Sequence, residues 1–134
     1  NRQQTIDQRK KNMGRDHKNI RGAWQLSDEL ALLIYKVTRN FPKEEMWGLT
    51  SQMRRASISV PANIAEGAAR NHKKEYLQFL YTAMGSITEL GYYIYFSGRI
   101  GYLNNSDVEN LLDLHLRTSK TLRALINYIE KSEV

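Results

Sequence analysis

Between residues 76 and 94 the apolar side chains Tyr76, Leu80, Ala83, Ile87, Leu90 and Ile94 step by 4, 3, 4, 3 and 4. That period excludes a strand, whose faces alternate every second residue, and it is the spacing with which left-handed helical bundles interlock. A helix with such a seam cannot bury it alone, so the chain must supply partners. Three other stretches do so. Leu26, Leu30, Leu33 and Val37 form a stripe that ends ahead of Phe41-Pro42, because proline disfavours helical backbone in the residue before it. Leu49, Met53, Ala56, Val60 and Ile64 continue a stripe straight through Pro61. The missing amide of Pro61 leaves the Ser57 carbonyl without its helical donor, which predicts one helix kinked near Pro61 rather than two. Val108, Leu111, His115, Thr118, Leu122, Leu125 and Ile129 make the last stripe.

The connections between these segments are short. Glu44-Glu45 suits the positive end of the second helix, which is expected to begin there. Gly67 and Asn71 mark the next break, with Asn71 as the expected N-cap of the third helix. Gly98-Arg99-Ile100-Gly101 ends that helix, and Asn104-Asn105-Ser106 ahead of Asp107 and Glu109 starts the fourth. Short links between long helices predict an all-α, up-down-up-down four-helix bundle over residues 23–134, preceded by a basic N-terminal arm at residues 1–22. A chain of 134 residues suits one domain whose core needs neither disulfide nor metal. The longest apolar run, residues 30–35, is far too short for a bilayer, and the polar first twenty residues lack a secretory signal. With no cysteine besides, the expected setting is the bacterial cytoplasm, away from any membrane.

Charge is unevenly distributed. The net charge is +6, yet residues 1–23 carry seven basic side chains against two acidic ones, or +5. Lys10, Lys11, Arg15, Lys18 and Arg21 are candidates for a nucleic-acid tether, since each cation placed on a phosphate releases counterions. Because the chain opens at Asn1 and Met13 could serve as a start, residues 1–12 read either as native or as tag or upstream sequence. Two further basic clusters, Arg70 with Lys73-Lys74 and Arg117 with Lys120 and Arg123, read either as phosphate contacts or as solvated helix faces with Asp113–Arg117 as an i, i+4 pair.

No catalytic constellation emerges. His17, His72 and His115 lack the partner spacing of a metal site, no glycine-rich phosphate loop follows a strand, and no serine has a defensible His and carboxylate partner. The chain reads as a non-enzyme with no catalytic residue, no metal ligand and no cofactor; His115 reads as a core or interface residue. One polar pattern stands out: at about 100° per residue, Arg55, Ser59, Asn63, Glu66 and Arg70 fall within about 80° of one another beside the apolar stripe of helix two. This seam reads as a structural or interface network in which Asn63 and Glu66 satisfy backbone groups freed by Pro61 and Glu66 pairs with Arg70; a ligand or phosphate site is the alternative. Tyr92, Tyr93, Tyr95, Phe96 and Tyr102 surround more of helix three than one core stripe can absorb, which points to a subunit interface at Tyr92, Tyr93, Tyr95 and Phe96, or else to stacking on exposed bases with Arg99 nearby.

The run Phe41-Pro42, Gly48-Leu49-Thr50-Ser51-Gln52-Met53-Arg54-Arg55-Ala56, Ser59-Val60-Pro61-Ala62-Asn63-Ile64-Ala65-Glu66-Gly67 and Arg70, extended by Gly85-Ser86 and Glu89-Leu90, closely resembles the signature of the 23S rRNA-intervening-sequence proteins, over about residues 23–130. The resemblance implies a four-helix bundle and a homopentameric ring, similar to the accessory proteins of diversity-generating retroelements, which bind a reverse transcriptase and nucleic acid. It makes a self-assembling accessory protein associated with RNA or DNA the expected function, with a reverse transcriptase or rRNA as partner. An oligomeric adaptor for a protein partner, touching no nucleic acid, is the alternative; the nearly neutral charge of residues 24–134 departs from the basic accessory proteins.

Overall fold

The computed structural model describes residues 1–4 and 18–132, with no side-chain placement for Lys18 and Asn19. Four long helices follow in order: α1 (Lys18–Thr38), α2 (Leu49–Ala68), α3 (Lys73–Arg99) and α4 (Asn105–Lys131), with a single 3-10 turn at Lys43–Glu45 between the first two. Each helix packs on its two neighbours in the cycle α1, α2, α3, α4, and among the described residues the diagonal pairs α1–α3 and α2–α4 do not meet. This is the up-down-up-down bundle expected from the short connections. Among the described residues, no helix is long and apolar enough to cross a membrane.

The α3 seam forms the centre of the core: Leu80, Ala83, Ile87, Leu90 and Ile94 are fully buried, while Tyr76 at its start is half-buried. Met53, Ala56, Val60 and Ile64 face it from α2, and Leu111, Leu122, Leu125 and Ile129 from α4. α2 passes through Pro61 as one continuous helix.

Four local readings need correction. The buried row of α1 runs through Ile20, Ala23, Leu30, Ile34 and Val37, whereas Leu26 and Leu33 are only half-buried. α1 carries apolar residues on adjacent rows, so spacing alone could not choose between them. Helix α1 also begins at Lys18, taking Lys18 and Arg21 into its first turns. The second helix does not start at Glu44-Glu45: those residues form the 3-10 turn, Gly48 has non-helical backbone, and α2 starts at Leu49. Glu45 nevertheless serves the helix end, because the Leu49 amide donates to its Oε1 at 3.3 Å. Asn71 is exposed, and the N-cap position of α3 is His72, in extended backbone with no side-chain capping bond. The extra residue is used in leaving α2, where the Ala69 and Arg70 amides still bond back to Glu66 and Gly67. The start of α4 is as expected, with the Asp107 amide donating to Asn104 Oδ1 at 2.7 Å. α3 ends in a Schellman arrangement: Gly101 has φ +85°, its amide returns to Gly98, and the Tyr102 amide returns to Ser97.

Two glycines set helix separations. A Cβ on Gly67 would lie 2.9 Å from both Phe79 Cβ and Tyr76 Cδ1, so α2 meets α3 there at near-backbone distance. A Cβ on Gly91 would lie 2.5 Å from His115 Nε2. That space lets the imidazole reach across from α4 and donate from Nε2 to the Ile87 carbonyl at 2.8 Å. His115 is thus a satisfied, half-buried residue of the helix interface.

Candidate interaction surfaces

The polar seam of α2 lies along its junction with α3. Arg55 bridges Gln52 and Glu89, reaching Glu89 Oε2 at 2.7 Å. The Tyr93 hydroxyl donates to the same carboxylate oxygen, a bond that raises the phenol above its ordinary pKa, with burial adding to the effect. One turn further on, Ser59 and Ser86 share a hydrogen bond of 2.8 Å, and Asn63 Nδ2 donates to the Ser59 carbonyl and hydroxyl. Glu66 pairs with Arg70 at 3.6 Å, and Arg70 stacks on Phe79 at 4.8 Å. The seam is therefore a ladder of contacts, some along α2 and its end and others across to α3. Asn63 binds the Ser59 carbonyl rather than that of Ser57, whose helical donor Pro61 removes; the Ser57 hydroxyl turns back to Arg54. Since the Arg55 and Glu89 side chains are 55% and 34% exposed, their ion pair fixes register more than it stabilises.

The antiparallel topology gathers the beginnings of α1 and α3 and the ends of α2 and α4 at one end of the bundle. Arg21, Arg70, Lys73, Lys74 and Arg123 belong to that end, and all but Lys73 are exposed. Lys73 is partly committed: its Nζ donates to the Glu130 and Ser132 carbonyls, closing the C-terminus of α4. A cavity of about 280 Å³ opens beside it, lined among others by Arg70, His72, Lys73 and Tyr128. Lys120 and Arg117 lie further along α4, and Arg117 pairs with Asp113 at 3.5 Å. Lys10, Lys11 and Arg15 lie outside the described residues, and nothing is described of the Lys18 side chain.

On α3, Tyr92, Tyr95 and Phe96 project from the bundle, 59%, 54% and 37% exposed. Tyr92 packs on Phe96 with ring centres 6.1 Å apart, and the Arg99 guanidinium lies 5.4 Å from the centre of the Tyr95 ring. Tyr93 meets Tyr92 edge-on, ring centres 6.4 Å apart, while its hydroxyl turns to Glu89 and the α2 side. Sequence reasoning missed Leu112 and Leu116 of α4, both exposed. The α3–α4 register, set by His115 against Gly91 and Val108 against Gly98, brings Leu112 about level with Tyr95 and Leu116 within about a turn of Tyr92. An apolar strip results along this junction. Tyr81 also escaped notice: it donates to Glu130 across α3–α4. Tyr102, grouped in the sequence reading with the aromatics of the third helix, instead donates to Glu45 while packing on Phe41. These bonds are the leading cause of a raised phenol pKa at both.

A second surface unmarked by sequence lies across the α1–α2 face. Trp47 is 91% exposed and lines a pocket of about 320 Å³ with Tyr35, Met46, Ile58, Arg54 and Arg55. The only advance signal was Met46-Trp47 within an otherwise polar connection.

Comparison with known proteins gives two findings. The model of a family described as 23S rRNA-intervening sequence protein matches residues 21–124. A crystal structure from Bacteroides thetaiotaomicron, described as a protein with unknown function from the S23 ribosomal protein family, superposes with a TM-score of 0.74 at 18% identity. That superposition covers 81% of this chain and 98% of the other, which establishes a shared fold. No curated protein matches the chain.

Proposed function

Since the chain belongs to the family of 23S rRNA-intervening sequence proteins, we propose that it is a non-enzymatic accessory protein that self-associates and engages RNA or DNA. The observation that carries this reading is the gathering of Arg21, Arg70, Lys74 and Arg123 at the end of the bundle that holds the first described turn of α1, the helix that follows the basic stretch in sequence. Cations from α1, α3, α4 and the α2–α3 connection are then available to one phosphate backbone, although they are scattered in sequence. The exposed strip of Tyr92, Tyr95, Phe96, Leu112 and Leu116 supplies the face for assembly into a homopentameric ring. The partner of this reading is rRNA or a reverse transcriptase.

The test is RNA binding by the full chain across a salt series, alongside a variant lacking residues 1–17. Affinity falls steeply with salt, and deletion flattens the slope of log affinity against log salt by about 0.7 for each single-strand phosphate that the arm no longer neutralises. Absence of binding at low salt overturns the reading. It would favour the protein-adaptor alternative, which the charge of only +1 over residues 24–134 supports.

A further inference from the structure

We propose that the pocket between α1 and α2 is a stacking site for a base of single-stranded nucleic acid, with Trp47 as the platform and Arg54 and Arg55 as the phosphate-side wall. This deepens the nucleic-acid reading above and rests on it. Trp47 is 91% exposed, far beyond the usual burial of tryptophan. Its indole therefore contributes little to the bundle core. Tyr35, also at the surface, shares the pocket, whose volume of about 320 Å³ stands at the small end for ligand sites and suits one planar group.

The arginines supply the charge. The Arg54 guanidinium is held in place: it lies 4.7 Å from the Tyr35 ring centre, and Nε donates to Thr38 Oγ1 at 3.0 Å. Arg55 is held by Gln52 and Glu89. In both, Nη1 has no partner among the described residues. Fixed guanidinium groups with donors still open favour an anionic occupant, because an apolar protein surface seated here would bury those donors unpaired. Lys36, Arg39 and Lys43 add exposed cations on the adjoining end of α1 and the 3-10 turn. Of the carboxylates nearby, Glu45 is taken up by the Leu49 amide and Tyr102, and Glu89 by Arg55 and Tyr93; Glu44, exposed beside Lys43 on the 3-10 turn, offsets one of the three added cations. Aromatic rings interleaved with arginine are the arrangement that grips single strands without reading sequence.

The experiment titrates the full chain with a short oligouridylate or oligothymidylate at low salt. It follows oligonucleotide anisotropy, and the emission of Trp47 in a Trp24→Phe background where it is the sole tryptophan. The expected result is saturable quenching of Trp47 and a loss of affinity of roughly 5- to 150-fold in Trp47→Ala, with Trp47→Phe in between. Because the side chain is so exposed, the Trp47→Ala melting temperature stays at the parent value. Undiminished affinity in Trp47→Ala overturns the site while leaving the proposed function standing. Failure of the parent to bind either oligonucleotide overturns both. A blue shift of Trp47 emission that grows with protein concentration alone shows a second copy covering the pocket, and overturns the site as well.

Discussion

Thr118 sits on the core stripe of α4, fully buried, and its hydroxyl has no hydrogen-bond partner among the described residues. A buried hydroxyl left unpaired costs more than the methyl group that would replace it. Thr118→Val is expected to stabilise the fold by about 1 kcal/mol, seen as a raised denaturant midpoint at unchanged slope. Glycines divide by what surrounds them. At Gly67 a new methyl would meet the Phe79 Cβ and the backbone carbonyl of Tyr76, neither of which can swing aside. Gly67→Ala should therefore cost about 1–3 kcal/mol. Gly85, exposed in the middle of α3, has nothing within 4 Å of its would-be Cβ. Gly85→Ala should add about 0.5–1 kcal/mol by restraining the unfolded chain and favouring helix. Chemical denaturation of the pair checks both signs; equal effects would show that the α2–α3 approach is not as close as described.

At the scale of elements, three tyrosines fasten the bundle from outside. Tyr81 ties α3 to Glu130 of α4, Tyr93 joins the Glu89–Arg55 link between α3 and α2, and Tyr102 ties the turn after α3 to Glu45. In each, the phenol donates to a carboxylate, so its pKa in the folded protein is raised. A group whose pKa is higher folded than unfolded holds its proton more tightly in the native state. Its contribution is then complete below the unfolded value near 10 and is lost as pH rises through the folded value. The melting temperature is expected to fall across this alkaline range, and a Tyr81→Phe, Tyr93→Phe, Tyr102→Phe variant to show a shallower fall from a lower plateau. Parallel alkaline limbs for parent and variant would refute the link.

For the whole molecule, the proposed self-association needs a face on which copies could meet. Tyr92, Tyr95 and Phe96 of α3 lie alongside Leu112 and Leu116 of α4, giving one exposed apolar strip, whereas the Trp47 pocket opens across α1–α2 on the opposite side of the cycle of helices. Charge placed in the strip should prevent association without touching the core. Tyr95→Glu with Leu116→Glu is expected to give a monomer mass by light scattering and an unchanged helical signal by circular dichroism. An unaltered assembly mass would move the interface elsewhere. Any fall in melting temperature should depend on protein concentration in the parent only, since association stabilises by mass action.

The heptad spacing of Leu80, Ala83, Ile87, Leu90 and Ile94 was enough to give a helix, its buried face and the need for a bundle, because periodicity follows from backbone geometry alone. Turn chemistry was equally legible at Asn104 and at Gly101, where one side chain or one positive φ settles the local structure. The polar seam from Arg55 to Arg70 could be located on a face of α2, but its partners Glu89, Ser86 and Phe79 come from α3 and depend on how the two helices are set against each other. The same holds for the row of α1 that is buried. Leu26 and Ile34 are both apolar and both helical, and only the directions of α2 and α4 decide that Ile34 faces the core. Clustering of basic side chains at one end, the levelling of Leu112 with Tyr95, and the exposure of Trp47 are likewise products of chain reversal. Residues brought together by antiparallel packing have no fixed separation in sequence, and so leave no period there to read.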